Sequence, residues 1–332
     1  MPLSSKTISS QTHLQPGRQA AHRINRRTLL KGVGGIAAAF FVGGGAVIAG
    51  SAPAQAALNV AQHEDQGRMQ YYKLATPSIG WLPRVNVLLP DGYDATRRYP
   101  VLYLLHGGGE DYSTFDTKYD IRNHTAGRDL IVVMPDGGAA GWYSDPESSN
   151  VGPRNWETFH VGELIPWVDA TFSTIAQPSG RAVSGFSMGG FGALKYAAKH
   201  PELFGSVSSH SGPADLRIQD GAVVHWANFT AGATDLKGGT IYGIPWDQAR
   251  VSADNPVEHV ESYRGKRIFL VSGTESDRYE SVVLPSQRSF EKALAGAGID
   301  CERYEDTGAH IVRWGRIQQD IDSMLNFLTK AG

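Results

Sequence analysis

The stretch Arg181–Pro201, "RAVSGFSMGGFGALKYAAKHP", decides how the rest of the chain is read. A short apolar run leads into a Gly-x-Ser-x-Gly centred on Ser187, and a helix-forming segment follows until Pro201 stops it. The order is strand, tight turn, helix. Gly185 and Gly189 lack the Cβ atoms that would collide in so sharp a turn, so the Ser187 hydroxyl would stand clear of the backbone. The helix starting near Met188 offers N–H groups without intrahelical acceptors, together with the positive end of its dipole. A chain with 39 glycines can meet this motif by chance, so the surroundings must carry the argument.

Working outward, apolar runs of strand length alternate with segments of helical period. Pro83–Pro90 alternates and reads as an early antiparallel strand. Val101–Leu105 is a buried strand that breaks into "HGGGE", and Leu130–Met134 is another that breaks into "PDGG". "ETFHVGELIPWVDATF" has helical spacing; "FGSVSSHSG" and "KRIFLVSGTESD" supply two more strands. "LPSQRSFEKALAGAG" reads as a helix ended by glycine, "CERYED" as a last strand, and "GRIQQDIDSMLNFLTKA" as a closing amphipathic helix. Such alternation predicts one α/β domain with a mostly parallel sheet covered by helices on both faces. Ligands of such sheets bind beyond the carboxyl ends of the strands, where the suspicious motifs of this chain lie. Residues 212–260 are the least regular and carry Trp226, Phe229, Tyr242 and Trp246; they are expected to form a lid, a pocket wall or a packed insert.

Residues 1–56 stand apart. They hold six basic residues and no acidic one, a pair Arg26-Arg27, a Gly/Ala-rich apolar run from Gly32 and a closing "AQA" at Ala54–Ala56. That order predicts an export signal resembling the twin-arginine type, behind a disordered start. A retained membrane anchor is the alternative, since the apolar run is just long enough to span a bilayer. Residues 57–332 then form the working domain, with 25 basic against 33 acidic residues, a net charge of −8. A mildly acidic surface argues against nucleic acid as partner. Cys301 is the only cysteine, so no intramolecular disulfide can form, and it reads as a strand residue. The chain is expected to be secreted, monomeric and in contact with membrane only during export.

The chemistry concentrates at strand ends. The Met188 N–H is the natural first donor to an oxyanion at Ser187, and the glycine loop after Val101–Leu105 should supply the second, from Gly108 or else Gly107. A serine nucleophile needs a base. His200, His124 and His259 have unremarkable settings, whereas His310 lies in "EDTGAH", between the last strand and the closing helix. That gives the chain order Ser, acid, His. His106 and His210 also fall at strand ends and are expected in the pocket wall, as are Trp142 and Trp226. For the acid, the loop after "RIFLVSG" offers Glu275, Asp277 and Glu280. Strand-end position favours Asp277, Glu275 is the weakest, and spacing does not decide. No metal site or cofactor is expected.

From about Leu82 to Leu325 the chain resembles the esterase D superfamily, and within it the antigen 85 mycolyltransferase branch. The resemblance rests on "PDGGAAGWYSDP", "RNWETFHVGELIPWVDATF", "GFSMGG", the Gly-Thr-x-Ser-Asp at Gly273–Asp277, and "TGAH" with a tryptophan following. It implies an α/β-hydrolase fold. It also implies Glu280 as the triad acid, because that branch places a glutamate ten residues before a helix phenylalanine, here Phe290. Two departures point towards general esterases: "HGGG" replaces the mycolyltransferase loop, and Ser-Met-Gly-Gly replaces Ser-Met-Ser-Gly.

The expected function is an exported serine carboxylic-ester hydrolase working through Ser187, His310 and Glu280 and an acyl-enzyme. The substrate would be a small ester, or an acyl-lipid or acyl-sugar. An acyltransferase that moves the acyl group to an alcohol or sugar is the alternative. A non-catalytic secreted binding protein on the same fold is the reading from another class; loss of a triad residue would mark it.

Overall fold

The computed structural model describes residues 58–331, so the expected export signal lies outside the described residues. Strands β1 (Asn59–Gln66), β2 (Met69–Ala75), β3 (Arg84–Leu88), β4 (Val101–Leu105), β5 (Ile131–Pro135), β6 (Arg181–Phe186), β7 (Ser206–His210), β8 (Arg267–Gly273) and β9 (Glu302–Asp306) share one sheet. Their order is β1-β2-β3-β5-β4-β6-β7-β8-β9. The pairs β1–β2, β2–β3 and β3–β5 are antiparallel, and everything from β5 to β9 is parallel. This is the α/β-hydrolase arrangement.

The helices are α1 (Thr114–Thr117), α2 (Ile121–His124), α3 (Ile165–Thr171), α4 (Met188–Lys199), α5 (Ile218–Ala233), α6 (Gln248–Asp254), α7 (Glu280–Gly296) and α8 (Trp314–Ala331). A π-helical turn, Thr158–Leu164, runs straight into α3. Side chains alternate across a strand, so β4 serves two cores. Val101, Tyr103 and Leu105 pack in one core with Phe191 and Leu194 of α4. Leu102 and Leu104 pack in the other with Ile317, Ile321, Met324 and Leu328 of α8.

The differences from the sequence reading have local causes. The β1–β2 hairpin precedes the first strand expected. All eight residues of β1 are exposed, so it carries no alternation to read. Helix α7 begins at Glu280, a turn before the expected start near Pro285, because the Asp277 side chain accepts the N–H groups of Tyr279 and Glu280, both at 2.7 Å. Residues 212–260 contain α5 and α6; three successive left-handed residues, Gln219–Gly221, interrupt α5 and hide its period. Cys301 sits one residue before β9, half-buried, with its thiol pushed up to about 11 by burial.

A buried polar cluster ties α8 to the sheet. Asp320 accepts from Arg267 Nη1 at 2.8 Å, Ser208 Oγ at 2.6 Å and Ser184 Oγ at 3.2 Å, and lies 2.9 Å from His210 Nε2. Burial pushes its pKa up, but Arg267, His210 and Ser208 outweigh that and hold it at about 2, against an ordinary 3.8. A depressed carboxylate stabilises the fold at pH above about 3.8, and the contribution disappears as pH falls towards about 2. Asp320→Ala, which leaves Arg267 with Glu302 as its remaining carboxylate partner at 3.0 Å, is expected to cost about 3 kcal/mol and to flatten the acid limb of stability between those pH values. Chemical denaturation across that pH range measures both effects.

Candidate active site

Ser187 sits where β6 ends and α4 begins, with φ 55° and ψ −118°, a strained left-handed conformation for a side-chain-bearing residue. The turn is held by its N–H, which donates to the His210 carbonyl at 2.8 Å, and by its carbonyl, which accepts from Phe191 N–H at 3.1 Å. Its tightness explains the glycines. A Cβ on Gly185 would lie 2.4 Å from the Gly189 backbone, and one on Gly189 would lie 2.1 Å from the Leu105 carbonyl oxygen. The closeness of β4 thus requires glycine at position 189. Gly189→Ala is expected to cost about 3 kcal/mol or more through overpacking, measured as a loss of denaturation midpoint.

His310 Nε2 lies 2.8 Å from Ser187 Oγ, and its Nδ1 lies 3.2 Å from Glu280 Oε1. A carboxylate only accepts, so Nδ1 carries the proton and Nε2 is left to accept from the serine. Glu280 is 1% exposed, in the first turn of α7, and its Oε2 is buried with no hydrogen-bond partner among the described residues. Asp277 touches His310 differently: its Oδ2 accepts the His310 backbone N–H at 2.8 Å. Burial raises the Asp277 pKa, but backbone donors from Glu280, His310 and Tyr279 outweigh it and leave the carboxyl lowered. Asp277 therefore caps α7 and anchors the histidine loop, while Glu280 meets the ring. Glu275 is exposed, and its backbone N–H bonds the Gly308 carbonyl at 3.2 Å.

The glycine loop resolves in the same way. Gly107 N–H donates to Glu110 Oε2 at 2.9 Å, and Gly109 N–H to the Ala139 carbonyl at 2.7 Å. That leaves the Gly108 N–H without an acceptor among the described residues, on a residue that lines the cavity at Ser187, as Met188 does. The cavity measures about 320 Å³, and Trp142, Trp226, Phe186 and Tyr279 give it an aromatic wall. Trp142 packs edge-on against Trp226 at 5.3 Å, and Trp226 stacks on Tyr279 at 5.2 Å. Phe186 and Tyr279 flank the His310 ring at 5.0 and 4.9 Å.

His106 and His210, expected in the pocket wall, lie elsewhere. His106 is buried beneath the glycine loop; its Nε2 accepts from Gly137 N–H at 2.9 Å, so Nδ1–H donates to the Gly107 carbonyl at 2.8 Å. His210 belongs to the Asp320 cluster. His210 ends β7 and His106 follows β4 directly, but their side chains point into the packed layers rather than the cavity. Tyr279 and Thr230 line the cavity without having been singled out in sequence. Tyr279 adjoins Glu280 in a loop read only for its carboxylates, and Thr230 shares one face of α5 with Trp226, four residues before it. Among the described residues, no group of three His, Cys, Asp or Glu side chains is arranged to hold a metal ion.

Residues 76–328 match the esterase family over most of the chain. The chain belongs to that family. It is 56% identical over 283 residues to Esterase Rv1288 of Mycobacterium tuberculosis, which covers 82% of this chain and 62% of that protein. The chain thus spans less than two thirds of that relative's length. It is 33% identical over 154 residues to the diacylglycerol acyltransferase/mycolyltransferase Ag85A of Mycobacterium bovis, 44% of each chain. Among solved structures, an S-formylglutathione hydrolase from Agrobacterium tumefaciens superposes with a TM-score of 0.64 at 19% identity, over 82% of this chain and 99% of that one. At that identity the likeness speaks for the fold alone.

Proposed function

We propose that the protein is an exported serine carboxylic-ester hydrolase. The observation that carries the reading is the hydrogen-bonded line Ser187 Oγ, His310 Nε2, His310 Nδ1, Glu280 Oε1, opening into an aromatic cavity. His310 Nε2 takes the Ser187 proton as Oγ bonds to the ester carbonyl carbon, and Glu280 stabilises the imidazolium. The oxyanion rests on the N–H groups of Gly108 and Met188, which no acceptor among the described residues competes for. Collapse breaks the bond to the alcohol oxygen, which leaves with the proton from His310, and the acyl group stays on Ser187. Water then gives its proton to His310 and attacks; the acid departs and the serine regains its proton.

In a second reading an alcohol or sugar hydroxyl replaces water in the last half-reaction. The similarity to Ag85A favours it, since that protein is named an acyltransferase. Release of acid from p-nitrophenyl esters, with and without an added alcohol, separates the two. Export is proposed on Arg26-Arg27 and the closing "AQA" of residues 1–56. An N-terminus at Ala57 in the mature secreted protein would support it, and retention of the full chain in the membrane fraction would contradict it. Among the described residues, no helix is long and apolar enough to cross a membrane.

A further inference from the structure

The most exposed large apolar side chains among the described residues are Ile244, Phe229 and Ile311, at 82%, 77% and 55%. Single exposed apolar residues are ordinary, but a group of them on one face marks an interaction surface. All three stand around the mouth of the Ser187 cavity. Phe229 lines a hollow of about 360 Å³ that shares Trp226, Thr230, Arg278 and Tyr279 with that cavity. Ile311 directly follows His310. Ile244 is brought in by Asn228, whose Nδ2 donates to the Gly243 carbonyl at 3.0 Å and whose Oδ1 accepts the Tyr242 N–H at 2.8 Å. Those two bonds fasten the turn carrying Ile244 to α5, beside Phe229.

The chemistry of this face says what covers it. Residues 221–234 and 238–246 contain no Lys, Arg, Asp or Glu; the charges that bound them are Asp220, Asp235, Lys237 and Asp247. A charged partner therefore finds no complement along these two stretches. Arg278, at the junction of the two hollows, holds its guanidinium carbon 4.4 Å over the Tyr279 ring, so its stem can cover apolar surface while its charge stays in water. A protein seated here would shut the catalytic cavity, whereas a lipid phase would feed esters into it. We propose that this apolar rim docks the enzyme on the surface of an aggregated, uncharged lipid ester. The proposal rests on the esterase reading and adds the physical state of the substrate: the ester enters the Ser187 cavity from lipid rather than from water.

Tributyrin hydrolysis by the full chain, followed through the solubility limit of the ester, is expected to rise steeply once droplets form. Ile244→Asp should lower the droplet rate about tenfold or more, because burying one such side chain contributes at least that factor and a carboxylate resists leaving water. It should keep p-nitrophenyl acetate turnover and the wild-type unfolding temperature, since Ile244 is exposed and lines neither hollow. Phe229→Asp gives the same droplet reading if Ile244→Asp fails to fold. Binding is read apart from catalysis. Ser187→Ala should float with phosphatidylcholine vesicles containing diacylglycerol, equally at low and high salt, and adding Ile244→Asp should weaken that binding about tenfold. Residues 1–56 are common to every variant, so differences among them report the rim. Loss of the triad reading, through a Ser187→Ala variant that still turns over soluble esters, would leave the flotation result standing. Absence of flotation, flotation indifferent to both Asp variants, or flotation that needs phosphatidylserine and vanishes in salt would overturn the proposal. So would a tributyrin rate that runs smoothly through the solubility limit, or a dimer in sedimentation that Ile244→Asp dissociates.

Discussion

Ser187→Ala is expected to lower kcat for p-nitrophenyl esters by about 10⁴-fold or more, with little change in KM. Alanine keeps the strained turn nearly as it is and removes only the oxygen that sits 2.8 Å from His310 Nε2. What remains is the cavity and the two free N–H groups, which alone retain a residual rate over water. The measurement is a progress curve with the variant freed of wild-type carry-over, alongside a fluorophosphonate label. Turnover and labelling that survive the substitution would remove Ser187 from the nucleophile's role.

The second large effect separates two carboxylates three residues apart. Glu280→Gln should cut kcat by about 10³–10⁴-fold, because an amide facing Nδ1 no longer stabilises the imidazolium and can favour the wrong tautomer. Stability should change little by comparison. Asp277→Asn should do the reverse. It disturbs the acceptor for the Tyr279, Glu280 and His310 backbone N–H groups, so about 1–2 kcal/mol of stability should go, with only about a tenfold loss of kcat as the histidine loop loosens. Paired urea denaturation and kinetics on both variants decide the matter. A larger kinetic loss from Asp277→Asn would reassign the acid.

Much of the fold was legible because its signals are local. The bounds of the strand Val101–Leu105 are legible, since five consecutive apolar residues between Pro100 and the His106–Gly109 loop have few alternatives. The β1–β2 hairpin was not legible, as its outer strand buries nothing. His106 and His210 show a different limit. Position at a strand end was visible, but the direction of the side chain depends on the layer packed against it. His106 reaches under the glycine loop and His210 reaches α8, 110 residues further along the chain.

By itself the sequence determined the strand, turn and helix around Ser187, the glycine loop upstream, and the order along the chain of Ser187, the carboxylates at 275–280 and His310. Those depend on hydrogen-bonding period and on which residues tolerate a tight turn, both properties of a short window. Tertiary structure decided which carboxylate meets His310 and which loop N–H stays free. Asp277 and Glu280 share the start of α7, yet one turns back to cap the backbone while the other projects to the ring. Gly107 and Gly109 give their N–H groups to Glu110 and Ala139, and only Gly108 is left. Such choices turn on a few ångströms between segments far apart in sequence, and those distances exist only once the sheet has brought the segments together.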